Sequence, residues 1–372
     1  MIPLNIPYVP ESSTKYVLES LESRHQQGDG PFTERASKSI SNLVGGGHVL
    51  LTPSCTHALE MASMLADVGP GDEVILPSYT FTSAAIAVTK FGATPVFVDI
   101  DSKTKGIDAH QVRAVITPRT KAISWVNYAG VAPDIESLKL LAKEFDLLLI
   151  EDNAHGLGGT YSGKKLGSFG DFATQSFHAT KNIQCGEGGA LVINNPKYVE
   201  RAEMIREKGT DRARFIRGEI QKYQWVDKGS SYLLAEPLAA ILLGQLENFD
   251  EIQARRQEIF SAYSTGLKDW AGNNGFELSF THPGELHTAH MFYLVAASLE
   301  QRGELIGKLD VSGIQALSHY QSLAHSKEGQ KFAGNLANFP ISHKLSNQLV
   351  RLPIYYQLGL EKFVKIIQSV IS

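Results

Sequence analysis

A lysine and an upstream aspartate carry the clearest chemistry in this sequence. Lys181 follows Ser176-Phe177-His178-Ala179-Thr180 and precedes Asn182, then the glycine-rich stretch Gly186-Glu187-Gly188-Gly189. Upstream, the apolar run Leu147-Leu148-Leu149-Ile150 ends in Glu151-Asp152-Asn153-Ala154-His155. A strand that delivers an acid at its end, then a lysine in a small polar loop, suits a pyridoxal phosphate (PLP) site. The amine condenses with the aldehyde, and the acid keeps the pyridine nitrogen protonated so that the ring accepts electrons. A free lysine, with a pKa of ~10.4, is a poor nucleophile at neutral pH. Burial beside a cationic ring lowers that value, which suits both amine capture and proton shuttling at the donor's Cα. Taken singly, Lys181 reads as a solvated loop residue and Asp152 as a helix cap; their combination favours the chemical reading.

A PLP site also needs an anion receptor and a ring cover. Thr52-Pro53-Ser54-Cys55-Thr56 leads from a strand straight into a helix, where free N–H groups and the helix dipole attract phosphate. Thr56 and Ser176 add hydroxyl donors. Ser54 reads equally as a plain N-cap. In Pro77-Ser78-Tyr79-Thr80-Phe81, Phe81 is the candidate to stack on the ring, with Tyr79 as the alternative.

The elements that must position these groups follow from apolar patterning. Strands are expected at 48–51, 73–76, 95–98, 121–126, 147–150 and 190–193. Helices are expected at 56–66, 83–91, 134–145 and 196–207. Continuous apolar strands alternating with helices predict a largely parallel sheet covered on both faces. Residues 209–232 mix charges and aromatics and read as irregular. One long helix is expected from Glu236 towards Trp270, followed by a smaller α+β unit with a strand at 291–296 and a final helix at 361–371. This places a large domain at 1–250 and a small one at 251–372.

The segments quoted above, with Arg206-Glu207-Lys208-Gly209-Thr210, Gly229-Ser230-Ser231-Tyr232, His290-Met291-Phe292-Tyr293, His319-Tyr320 and Arg351-Leu352-Pro353, resemble the DegT/DnrJ/StrS-type sugar-nucleotide aminotransferases over nearly the whole chain. The resemblance implies an α/β, fold type I PLP aminotransferase with a mixed, mostly parallel seven-stranded sheet and a smaller C-terminal α+β domain. It implies a homodimer with shared active sites, in which Ser231 reaches the neighbouring cofactor phosphate. Many members carry asparagine at that position and arginine where Leu233 stands, so the departure weakens the phosphate role of Ser231. His155 stands where members approach the cofactor's phenolic oxygen. His178, His319 and Tyr320 become candidates for sugar contact, each with a packing or solvated alternative. Within the family, the likeness is to members that move an amino group from L-glutamate to the C4 ketone of dTDP-4-dehydro-6-deoxy-D-glucose, giving an axial 4-amino-4,6-dideoxygalactose. Transfer at C3, an equatorial product, a PLP-dependent dehydratase and an inactive PLP-binding regulator are the rivals. Related dehydratases carry histidine where Lys181 stands, which speaks against that one.

Bulk properties narrow the rest. The chain has 372 residues, 43% of them hydrophobic and 20% charged, with a net charge of −4. No basic excess suggests nucleic acid. Two cysteines, Cys55 and Cys185, suit a reducing cytosol rather than a disulfide framework. The opening residues do not read as a signal peptide, and no apolar run approaches a membrane span, so a cytoplasmic enzyme is expected. Gly158-Gly159-Thr160-Tyr161-Ser162-Gly163-Lys164-Lys165 nearly spells a phosphate-binding P-loop but lacks the final Ser or Thr, and reads better as a hairpin turn. His287 and His290 have a metal-like spacing without the acid or cysteines of a site. No dinucleotide fingerprint follows the first strand. The arginines of 210–217 either grip a diphosphate or lie solvated.

Overall fold

The computed structural model describes residues 1–372. Two amphipathic helices, α1 (Glu11–Glu22) and α2 (Pro31–Val44), precede the first strand. Then strands and helices alternate: β1 (His48–Thr52), α3 (Cys55–Leu65), β2 (Glu73–Pro77), α4 (Ser83–Thr89), β3 (Thr94–Val98), α5 (Ala109–Val115), β4 (Thr120–Val126), α6 (Ile135–Phe145) and β5 (Leu148–Asp152). A short hairpin, β6 (Thr160–Tyr161) and β7 (Lys164–Lys165), precedes β8 (Phe172–Ser176) and β9 (Gly189–Ile193). Ser162 and Gly163 turn that hairpin with positive φ angles of 49° and 72°, so the P-loop-like stretch is a tight turn.

Seven strands form one sheet in the order β1-β9-β8-β5-β4-β2-β3. Only β9 runs against its neighbours, pairing antiparallel with β1 and β8. The sheet separates two cores by strand alternation. Ile150 and Phe172 pack with the buried face of α3 and α4, whereas Leu149 and Ile123 pack with α6. Glu151 and Asp152, adjacent at the end of β5, therefore point to opposite faces. Glu151 is fully buried and accepts N–H groups from Gly167 (2.7 Å) and Phe169 (2.9 Å) and the Asn127 amide (2.8 Å). It is a structural acid. Asp152 faces the α3 side, where Cys55 lies.

The rest of the chain differs from expectation in two places. Residues 209–232 contain a short helix, α8 (Arg212–Ile216), after α7 (Val199–Arg206). The single long helix is three: α9 (Glu236–Glu247), α10 (Phe249–Gly266) and α11 (Lys268–Asn273). The breaks fall at Asn248 and Leu267, whose φ angles are −104° and −105°. Gly266 directly precedes the second break, whereas no glycine or proline adjoins the first. Asn248 instead donates its amide to the Gly244 carbonyl (2.8 Å) and to Ser12 Oγ (3.0 Å) of α1, which ties the bend to α1.

A second sheet, β10 (Glu277–Leu278), β11 (Phe292–Val295) and β12 (Leu349–Leu352), is antiparallel throughout. Phe292, Leu294, Val350 and Leu352 build its own core with α12 (Leu299–Val311) and α15 (Leu360–Ile371). The opposite face, with Tyr293, Val295 and Leu349, packs on Tyr79 and Tyr128 of the large unit. Between β11 and β12 the chain returns to the large unit. Two further helices, α13 (Gln330–Ala333) and α14 (Pro340–Gln348), sit there. Buried Asp99 accepts both N–H groups at the start of α14, from Ile341 and Ser342 (each 2.8 Å). The N-terminus crosses the other way: Ile2 bridges Ile314 and joins the C-terminal core.

Candidate active site

A cavity of about 790 Å³ opens between the large sheet's strand ends and the small sheet. Its walls include Ser54, Cys55, Thr56, Phe81, Asp152, His155, Ser176, His178, Lys181, His319 and Tyr320. These are all the site residues expected from sequence except Ser231, which is exposed and outside the cavity of its own chain.

Asp152 is 6% exposed. Its Oδ1 accepts the Ala154 N–H at 3.1 Å and lies 4.0 Å from Cys55 Sγ. Burial pushes the carboxyl's pKa up, and Lys181 only partly offsets this. The anion is thus desolvated without a close cation, which is the environment a protonated ring nitrogen would complete. Lys181 is half-buried and in no ion pair. Burial lowers its amine to about 8, opposed by Cys55 and Asp152 and reinforced by Arg351.

The N-terminus of α3 is open to the cavity. Ser54 is an extended N-cap whose hydroxyl accepts the His57 N–H at 3.2 Å, so the capping reading of Ser54 holds. Thr56 Oγ1 is shared with Ser83 at 2.7 Å. Gly189 passes so close that a Cβ there would lie 2.4 Å from Cys55 N and from Ser54 C. Only glycine leaves this turn in place. Cys55 turns its thiol inward to Thr174 Oγ1 at 3.4 Å, and burial holds the thiol protonated.

Phe81 is 54% exposed and faces the cavity, with Tyr320 5.9 Å away. Tyr79, the alternative stacking residue, is fully buried and donates its hydroxyl to the His319 carbonyl, outside the cavity wall. His155 stacks on His290 at 4.4 Å and accepts the Ala129 N–H on Nδ1 at 3.2 Å. Burial drives its pKa well below the usual range. The neutral ring therefore carries its proton on Nε2. Ala129 holds φ +55°, an uncommon value for a residue with a Cβ.

His178 is half-exposed, with Nδ1 2.9 Å from Thr180 Oγ1 and Nε2 3.6 Å from Glu187. His319 Nδ1 meets the Tyr128 hydroxyl at 2.8 Å, and burial keeps the imidazole neutral. His287 and His290 have separate partners: His290 bonds Asn182 and His287 packs on Phe260. The loop arginines Arg212, Arg214 and Arg217 are each paired with glutamates, so they read as solvated ion pairs rather than a diphosphate grip.

Several lining residues are not among the candidates the sequence singled out. The N-terminal arm contributes Leu4, Asn5 and Pro7. Asn5 donates to the Ala179 carbonyl at 3.2 Å, beside Lys181. Arg351 also lines the cavity. Its sequence signals are the Arg351-Leu352-Pro353 segment that carries the family resemblance and a cation inside the apolar strand Leu349-Val350-Arg351-Leu352.

The family described as DegT/DnrJ/EryC1/StrS aminotransferases matches residues 7–371. The chain is similar to a GDP-perosamine synthase of Caulobacter vibrioides, 35% identical over 83% of this chain and 82% of that protein. It is 31% identical to the spore coat polysaccharide biosynthesis protein SpsC of Bacillus subtilis, over 99% of this chain and 96% of SpsC. Among solved structures, S. venezuelae DesV in complex with a ketimine intermediate superposes with a TM-score of 0.87 at 31% identity, covering 98% of each chain.

Proposed function

The chain belongs to the DegT/DnrJ/EryC1/StrS aminotransferase family, and on that premise we propose an amino transfer from L-glutamate to C4 of dTDP-4-dehydro-6-deoxy-D-glucose, giving dTDP-4-amino-4,6-dideoxy-D-galactose and 2-oxoglutarate. The coarser assignment needs no proposal: this is a PLP-dependent sugar aminotransferase of fold type I. The shared cavity of Lys181 and Asp152, an amine from a loop and an acid from a strand end, carries the aminotransfer reading; the finer reading rests on the sequence likeness to galacto-forming members.

When bound, PLP supplies an aldehyde that captures amines and a ring that accepts the electrons of a breaking C–H bond. The residues present fit it. Asp152 holds the ring nitrogen's positive charge. The free N–H groups of α3 around Ser54, Cys55 and Thr56 take the phosphate, with Ser176 beside them. Phe81 covers the ring, and His155 offers Nε2–H to the phenolic oxygen. Lys181 removes the proton from the donor's Cα. In the second half-reaction Lys181 returns a proton to the sugar carbon from its own side, which fixes the amine as axial or equatorial; the sequence likeness to galacto-forming members favours the axial one. His178, His319 and Tyr320 line the space left for the sugar. Ser231 acts, in this reading, on the site of a second copy. The free cysteines suit a reducing compartment, and we take the cytoplasm as the site of action; no helix is long and apolar enough to cross a membrane.

A second nucleotide remains in play, because one relative is named for a GDP-linked product. Incubating the yellow holoenzyme with L-glutamate, then with dTDP-, GDP- and UDP-linked keto-sugars, tests the proposal. Glutamate alone should bleach the enzyme, and the dTDP-4-keto sugar should restore colour and yield an axial C4 amine by NMR. An equatorial amine, a C3 amine or a preference for another nucleotide overturns the finer reading. Failure to bleach favours the PLP-binding regulator.

A further inference from the structure

Four polar residues with no exposed surface, Ser78, Asp99, Ser322 and Ser342, meet where the chain between α12 and β12 docks on the large unit. None of them lines the cavity. Ser78 follows β2 and Asp99 follows β3. The two strands are parallel neighbours, paired from Glu73 with Thr94 to Pro77 with Val98, so both residues stand side by side at the carboxyl end of the sheet. The Ser78 N–H donates to the Val98 carbonyl at 2.8 Å. Leu323, Ala324 and Phe339 of the docked chain join the core that holds α3 and α4.

Asp99 serves as the cap that α14 lacks. Phe339, at the N-cap position, makes no capping bond, and Pro340 opens the helix. Asp99 Oδ2 accepts the Ile341 N–H, and Oδ1 accepts both the N–H and the hydroxyl of Ser342. Since the Ser342 hydroxyl donates to the carboxylate, it accepts from Ser78 Oγ, at 2.6 Å. One turn along α14, Ser346 Oγ donates to the Ser342 carbonyl (2.7 Å) and accepts the Ser322 N–H (2.8 Å). The next N–H, of Leu323, donates to the Ser78 carbonyl at 2.6 Å. Tyr79 donates its hydroxyl to the His319 carbonyl. Residues 319, 322 and 323 are thus held from the ends of β2 and β3. Between these ties, His319 and Tyr320 turn into the cavity. No side-chain polar atom of the four buried residues lacks a partner, and a fully satisfied buried network is rigid.

We propose that Asp99 is a positioning residue for the sugar half-reaction: without touching any substrate, it anchors α14 and, with Ser78 and Tyr79, sets where His319 and Tyr320 stand in the cavity wall. The inference rests on the aminotransfer reading above and on its placement of these two residues beside the sugar. The network stops short of the groups that would hold the cofactor and move the proton. Asp152 bonds Ala154, His155 bonds Ala129, and Thr56 at the start of α3 bonds Ser83, none of them a member. β12 keeps its place through its own pairing with β11. Loosening the anchor therefore shifts the sugar-facing wall and leaves the donor-facing chemistry in position.

The test uses holoenzyme and its two half-reactions separately. Asp99→Asn keeps the side chain's shape but presents an N–H where an acceptor is needed, so a donor at the start of α14 loses its partner. The L-glutamate concentration for half-maximal bleaching should not change. Starting from the pyridoxamine form, the concentration of the keto-sugar nucleotide that the wild type accepts should rise about 10- to 100-fold for half-maximal return of colour. Tyr79→Phe removes only the hydroxyl on the His319 carbonyl and should give the same one-sided defect, smaller in size. If Asp99→Asn does not retain the cofactor's absorbance, Tyr79→Phe and Ser342→Ala are read in its place. A merely structural role predicts a lower melting temperature with both half-reactions weakened alike, or with neither changed. Either result overturns the inference, and so does a defect confined to the glutamate half-reaction. A wild type that glutamate does not bleach sinks the functional reading instead, independently of any variant.

Discussion

At the residue scale the site is organised by uneven desolvation. Asp152 is raised and Lys181 lowered by the same buried surroundings, so each is held closer to neutrality than in water. For Lys181 the consequence is kinetic. The neutral amine is the nucleophile, so capture of PLP by cofactor-free protein should speed up as pH rises and level off near its pKa of about 8. An unperturbed lysine would keep gaining rate to about pH 10. Stopped-flow absorbance across pH separates the two, and a rise continuing to that higher limit would show that Lys181 is not desolvated. The aspartate was legible because an acid at the end of an apolar run is conspicuous. Glu151, its neighbour, was equally conspicuous. Only strand alternation decides which of the two faces the cavity.

At the element scale, the anion receptor is a strand-to-helix turn held against a reversed strand. Gly189 starts β9 and packs on the backbone of Ser54 and Cys55. Gly189→Ala must displace the start of α3, because its Cβ would meet backbone rather than a movable side chain. We expect a loss of about 1–3 kcal/mol of stability from overpacking, with weakened PLP affinity, measured by thermal unfolding and by cofactor titration. Intact PLP affinity in a folded variant would place the phosphate elsewhere. β8 was harder to see in the sequence. Its residues Thr174 and Gln175 are polar yet buried; Gln175 Oε1 accepts the Asn153 amide at 3.3 Å, while its Nε2 has no partner. Patterning by hydrophobicity misses a strand whose polar side chains find partners only after folding. The break at Asn248 escaped for a similar reason, since α1 supplies the groups that hold it.

At the scale of the whole molecule, the exposed face of residues 209–232 stands out. Trp225 is 82% exposed, with Phe215, Ile216, Tyr223 and Val226 also exposed nearby in sequence. Apolar side chains concentrated in one segment of this kind mark an interaction surface. The expected occupant is a second copy, which would also bring Ser231 to a neighbouring site. Light scattering should give twice the 40.7 kDa chain mass. Trp225→Glu should shift the population towards monomer and reduce activity together. A fully active monomer would exclude shared sites.

The sequence by itself determined the alternating α/β order, the acid-bearing strand end, the lysine loop and hence the cofactor chemistry, because local apolar patterning and side-chain type suffice for each. Tertiary structure alone decided that Asn5 and Arg351, distant in the chain, close the same cavity. Their positions depend on an arm crossing between units and on the face that β12 turns towards the large sheet. Those are contacts between remote segments, and no local pattern encodes them.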